Sequence, residues 1–232
     1  MKRSFLTVLF ICLSISAGLL CSGACLGACL PVAGVMPPTT PGAGGSAGGG
    51  GQEVQCDTAF DRTGTLRSDG IFTSMLINNF VIVGDEGNTN LAQRGIVSVV
   101  LNQIPAGANV ESVILQIMGS APEGNPFDDF GFMTVDHIDV VANIGATAFL
   151  GKTLTANIAT IDTLPGGLMQ QTVALDVTAQ VQADLAAGRP ISSFRFQFTN
   201  APSLDGVFDQ VFFAANQNDA SARPIAIATF TP

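Results

Sequence analysis

The chain of 232 residues contains no tryptophan, no tyrosine and a single histidine, His137. Stacking on sugar rings or nucleobases therefore falls to phenylalanine alone, and one imidazole excludes a multi-histidine metal centre. Charge is sparse and one-sided: 9 Lys and Arg stand against 18 Asp and Glu, a formal net charge of -9. No basic footprint for nucleic acid exists in such a balance. Cysteine is also scarce where it would matter for folding. Of five, Cys12, Cys21, Cys25 and Cys29 crowd the N-terminus and leave Cys56 alone, so no disulfide framework forms within the rest of the chain. An apolar fraction of 47% excludes a wholly disordered protein.

What is present begins with an export pattern. Lys2 and Arg3 precede an apolar run from Phe5 to Leu20, 16 residues that are short for a membrane span and suited to a secretory signal. Leu26-Gly27-Ala28-Cys29 resembles the bacterial lipobox, with Cys29 as the acylated residue; Ser22-Gly23-Ala24-Cys25 offers Cys25 as the alternative. An ordinary signal peptide cleaved after a small residue such as Ala24 or Ala28 is the competing reading. Residues 1–28 are read as signal peptide and 29–55 as a Gly- and Pro-rich tether, too poor in apolar side chains to offset its ordering entropy. Cleavage before Cys29 removes Lys2 and Arg3, leaving 7 basic and 18 acidic residues, or -11. The expected location is extracytoplasmic, lipid-anchored to a membrane or cell surface, otherwise secreted. Gly44-Gly45-Ser46-Ala47-Gly48 formally matches a nucleophile elbow, but that motif needs a strand-to-helix turn, and here it sits in the tether.

Residues 56–232 read as short strands. Val97, Val99 and Leu101 alternate on one face, and Val113, Leu115 and Ile117 on the next; Pro105 and Gly107 mark the reversal between them. Phe194, Phe196 and Phe198 alternate with Arg195 and Gln197, which predicts one core face and one wet face. One helix is expected over Ala179 to Ala187, with Val177, Val181 and Leu185 four apart, Thr178 capping and Gly188 ending it. The pattern as a whole predicts an antiparallel sandwich or barrel.

Three stretches then resemble one family. Arg94-Gly95-Ile96-Val97-Ser98-Val99-Val100-Leu101 followed by Ile104-Pro105-Ala106-Gly107-Ala108-Asn109-Val110, then Leu175-Asp176-Val177-Thr178-Ala179-Gln180-Val181-Gln182, and finally Ala222-Arg223-Pro224, are similar to the signatures of DNRLRE domains. The resemblance implies an all-β, jelly-roll-like antiparallel β-sandwich with one short helix, found on surface and secreted proteins. It also implies carbohydrate binding, since some relatives recognise acidic polysaccharides. This chain lacks the aromatic and basic residues expected at such a site, and its own charge repels an anionic glycan unless cations bridge the two.

Candidate site residues are few. Asp85, Glu86, Asn88 and Asn90; Glu123, Asn125, Asp128 and Asp129; and Asp205 and Asp209 form three oxygen-rich clusters with the ligand chemistry of calcium. No fixed calcium-loop spacing accompanies them, so solvated loops explain each equally. His137, beside Asp136 and Asp139 on an expected strand, is read as a structural histidine bonded across strands. Arg94 and Arg223 are read as partners for the domain's own acids, Cys56 as a buried free thiol, and Phe127, Phe130 and Phe132 as either a binding lip or a strand entering the core. The sequence thus predicts a non-catalytic, surface-tethered module for binding or adhesion, with a polysaccharide or cell-envelope component as partner and calcium as the one candidate cofactor. The alternatives are a structural envelope or matrix protein without a small ligand, and a polysaccharide-active enzyme whose carboxylates the sequence does not pair.

Overall fold

The computed structural model describes residues 51–120, 122–139, 144–145, 149–164 and 171–232. The segment read as signal peptide, Cys25, Cys29, the elbow-like Gly44 to Gly48 and most of the segment read as tether lie outside the described residues. No described helix is long and apolar enough to cross a membrane.

Among the described residues twelve strands and two α-helices follow in order, with one short 3-10 turn at Ala220–Ala222: β1 (Gln52–Cys56), β2 (Gly64–Arg67), β3 (Phe72–Ser74), β4 (Phe80–Glu86), β5 (Leu91–Val100), β6 (Asn109–Gly119), α1 (Pro126–Phe130), β7 (Met133–Ile138), β8 (Thr153–Ile161), β9 (Gln171–Asp176), α2 (Thr178–Ala186), β10 (Ile191–Phe198), β11 (Asp209–Ala214) and β12 (Ile225–Thr231). The ladder runs β1-β12-β6-β11-β4-β5-β10-β7-β8, with β2 on β5, β3 on β2 and β9 on β6. Every pairing is antiparallel. Between β6 and β11 only Gly119–Phe213 and Met118–Ala214 are paired, the shortest ladder along this path. The protein is an all-β sandwich, as its alternation predicts.

The inward residues of both layers share one core. Val97, Val99, Val113, Leu115, Phe194, Phe196, Val211 and Phe213 all lie in it. Each Phe or Leu so enclosed stabilises the fold by roughly 1.5–3 kcal/mol over its exposed state. Residues 52–55, which fall in the segment read as tether, pair with β12, and Val54 and Cys56 alternate inward to meet the core. Cys56 is a buried free thiol, pushed up to about 11 by loss of water and then by Asp57.

Two expectations change. The second face of β10 is not wet: Arg195 is buried, and Leu66, Ala92, Ile96, Ile138 and Phe149 form a smaller apolar cluster over that side. Single-strand alternation shows which residues share a face, but not what covers it. In α2 the capping roles are exchanged. Asp176 Oδ1 accepts from both the backbone amide and the hydroxyl of Thr178, at 3.0 and 2.6 Å, while Thr178 Oγ1 accepts from the Val113 amide at 2.8 Å. Thr178 thereby ties the helix to β6 instead of capping it. Gly188, at φ 68°, closes the helix as expected, with the Arg189 amide on the Asp184 carbonyl and its own amide on that of Leu185.

Candidate functional site

The fold brings residues from the three oxygen-rich clusters together at one end of β4 and β11. Antiparallel register sets Asp85 directly opposite Asp209. Like charges so placed destabilise a sheet unless donors answer them. Asp85 is answered completely: Oδ2 accepts from the amide and hydroxyl of Ser203, both at 2.9 Å, and Oδ1 from the Asp209 amide at 3.2 Å. Its carbonyl accepts from Gln210 Nε2 at 2.7 Å. Ser203, which carried no sequence signal, stands between two of the carboxylates: its hydroxyl is 2.9 Å from both Asp85 Oδ2 and Asp205 Oδ1 and its single proton serves one of them at a time, while its amide stays on Asp85.

Asp209 is answered on one side only. Its Oδ1 accepts from the Asn125 amide at 2.7 Å, whereas Oδ2 is buried without a hydrogen-bond partner. Gly124 makes that approach feasible: at φ 69° a Cβ there would stand 2.1 Å from the Phe208 carbonyl oxygen and 2.3 Å from Asp209 Oδ1. The exposed carboxyl of Asp129, on α1, comes within hydrogen-bonding reach of Asp209. Loss of hydration, then the charge of Asp209 and the hydrogen bond with it, then Asp205 and Asp128, raise the Asp129 carboxyl above its ordinary range. Asp205 is held below that range by the Val207 amide and then by Ser203.

The remaining candidates are engaged elsewhere or exposed. Glu86 accepts from Thr89 at 2.8 Å and pairs with Arg67 at 3.4 Å; Asn90 Oδ1 accepts from the Gly206 amide at 3.2 Å. Asn88 and Asp128 are exposed. Among the described residues no three His, Cys, Asp or Glu side chains are placed to enclose one metal ion, so the clusters do not form all-carboxylate cages. Burial explains the difference: Asp85, the most interior carboxylate, has both oxygens already engaged by protein donors.

His137 is buried on a strand, but its hydrogen bond runs to a helix and not across strands as the sequence reading expected. It lies inward opposite Phe194, and its Nε2 is 2.8 Å from Asp184 Oδ2 on α2. Arg189 Nη1 donates to Asp184 Oδ1 at 2.9 Å. Burial pushes the Asp184 carboxyl up, but hydrogen bonds led by that of His137 prevail and hold it below the ordinary range. Asp136 points to the opposite face and accepts from Arg195 Nη2 at 2.7 Å and Gln197 Nε2 at 2.8 Å.

Arg223 pairs with Asp57 at 3.2 Å, as predicted. Arg94 differs: its guanidinium lies 4.0 Å above the Phe149 ring and donates to the Phe149 carbonyl oxygen. Burial, then the charge of Arg195, bring it down to about 10 against the pull of Asp136. Phe127 and Phe130 sit on α1 and pack against Phe198 at 5.3 and 5.4 Å; neither enters on a strand, and only Phe132 of the three is exposed.

The sequence missed an apolar surface. The turn between β3 and β4 exposes Leu76 by 49% and Ile77 by 81%, and Phe80, the first residue of β4, is 40% exposed. Phe80 stands edge-on to Phe212 of β11 at 6.0 Å. Its signal was Met75-Leu76-Ile77, three apolar residues in a row within a turn. A separate groove of about 510 Å³ lies between the β5–β6 turn and the end of α2, lined by Ile104, Pro105, Leu185 and Arg189 among others.

No family model matches the chain, and no curated protein matches it. Among solved structures it is similar to a mutant of a carbohydrate binding module family 29, at 11% identity and a TM-score of 0.32, covering 76% of this chain and 92% of that one. A CBM29-2 mutant complexed with cellulohexaose gives 12% identity and a TM-score of 0.32, over 77% and 92%. Likenesses at this level carry no argument about what this chain binds.

Proposed function

We propose that this chain is a non-catalytic, exported module, tethered to a surface through its N-terminal segment, whose sandwich binds a neutral polysaccharide. The observation that carries the choice of a neutral partner is the commitment of all six arginines among the described residues to the protein itself. Arg62 pairs with Asp61, Arg67 with Asp69 and Glu86, Arg189 with Asp184, Arg195 with Asp136 and Arg223 with Asp57, while Arg94 covers Phe149. A chain of net charge -9 with its guanidinium groups so engaged has little to offer a uronate. Phe80, backed by Phe212, offers instead an aromatic ring for stacking on a neutral sugar, with Leu76 and Ile77 as exposed apolar neighbours in sequence. The DNRLRE-like signatures support a binding sandwich, and the lipobox-like Cys29 supports the anchor. An enzymatic reading gains nothing from the carboxylates: Asp129 and Asp209 are in direct contact, where glycoside hydrolysis uses separations of about 5–9.5 Å.

Screening the full-length protein on a glycan array tests the reading. Neutral glycans are expected to bind, and Phe80→Ala to lose binding at least tenfold with its melting temperature little changed. Binding confined to uronate polymers overturns it. The same exposed turn suits contact with another protein, which supports the second reading, a structural envelope component. Absence of glycan binding, with recovery of the chain in a defined envelope assembly that Phe80→Ala disrupts, would establish that one. Mass spectrometry of the native N-terminus decides the acylation of Cys29 against Cys25.

A further inference from the structure

Four aspartates are almost completely buried, and three of them have protein donors on their carboxylate oxygens. Asp209 alone presents an oxygen with no amide, hydroxyl or cationic donor, and the group within hydrogen-bonding reach of it is another carboxyl, from Asp129, which can donate only when protonated. Two facing carboxylates repel, and an unanswered buried carboxylate oxygen carries the full cost of its lost hydration. The arrangement is stable when something positive lies between them. Asp205 and Asp128 add further negative charge, so the local field favours a cation strongly.

We infer that a calcium ion binds between Asp129 and Asp209, fastening the loop that carries α1 to the start of β11. Two carboxylates are too few to enclose it, so its remaining ligands are backbone carbonyls and water, which calcium accepts in an irregular shell of six to eight oxygens and magnesium does not. The loop's close backbone approach at Gly124 fits this role, since a side chain there would drive the loop off Asp209. Asp85 is excluded as a ligand because Ser203 and the Asp209 amide occupy its oxygens. The ion therefore joins two of the three loops, and the third is held by hydrogen bonds through Ser203 and Asn90.

Melting of the full-length protein, stripped with a chelator and titrated with calcium chloride or magnesium chloride, tests the site. At calcium a hundredfold above its dissociation constant the melting temperature is expected to rise by on the order of 5–10 °C, and by less with magnesium. Asp209→Asn keeps the acceptor for the Asn125 amide and turns the unanswered oxygen into a donor toward Asp129. It should melt above the chelated wild type and show no response to calcium. Asp129→Asn, at an exposed position that the core does not need, should lose the response as well. An unchanged melting temperature in the wild type, a calcium response retained in both variants, or an equal response to magnesium overturns the assignment.

Discussion

Asp184 and Asp209 are both 1% exposed, and they solve the same electrostatic problem in opposite ways. Asp184 lies between α2 and β7 with His137 on one oxygen and Arg189 on the other. Asp209 lies at the start of β11 with one backbone amide on one oxygen and a second carboxyl facing it. An ionised carboxylate in a protein interior is tolerated in proportion to the donors and counter-charges around it. At Asp184 the chain supplies them all. At Asp209 it supplies half, in a region that gathers acids from three segments, and no arginine pairs with Asp209 itself. The first is a finished structural joint, and the second is built to receive a positive charge.

The sharpest way to break this contrast is to unpair a buried charge where the protein has supplied it. Arg195→Ala strands Asp136 on the covered face of β10 and should cost about 3–5 kcal/mol, read from chemical denaturation. A cost near that of a surface pair, below about 1 kcal/mol, would mean that the pair is not held dry. Asp184→Asn keeps the shape of the α2 joint while removing its charge. A loss of about 1–3 kcal/mol at neutral pH is expected, because His137 and Arg189 then face a neutral amide.

The two aspartate sites also differ in the sign of their pH dependence. The Asp184 carboxyl is held below its unfolded value, so its contribution is complete above the unfolded pKa of about 3.9 and is lost as pH falls through the folded one. The Asp129 carboxyl is raised, so in chelator its contribution is greatest below the unfolded value and is lost as pH rises through the folded one. Melting curves across the acid range should therefore show the Asp184 loss disappear in Asp184→Asn. The smaller, opposite loss should disappear in Asp129→Asn, and its persistence there would place the raised carboxyl elsewhere.

How much of this was legible depends on whether the cause is local. The alternation of Phe194, Phe196 and Phe198, and the spacing of Val177, Val181 and Leu185 before Gly188, follow from periodicity along one segment, and the fold obeys both. The cover over Arg195 was not legible, because Leu66, Ile138 and Phe149 come from three separate stretches. The acidic end shows the same limit. Composition marks each cluster as oxygen-rich, but the register that opposes Asp85 to Asp209 joins positions far apart in sequence, and only that register decides which carboxylate is satisfied. Phe127 and Phe130, which flank Asp128 and Asp129, read from the sequence equally as a binding lip or as a strand entering the core. Pro126 at the first helical position, after Asn125, was the signal that a helical turn begins there.

Carbohydrate recognition without free arginines is the claim on which the functional reading stands. Its most direct test is a binding isotherm of the full-length protein on neutral polysaccharides and on a uronate polymer, each at low and high salt. Saturable binding to a neutral polymer that salt leaves unchanged and Phe80→Ala abolishes is the expected result. Binding only to the uronate polymer, weakening steeply as salt rises, would contradict it.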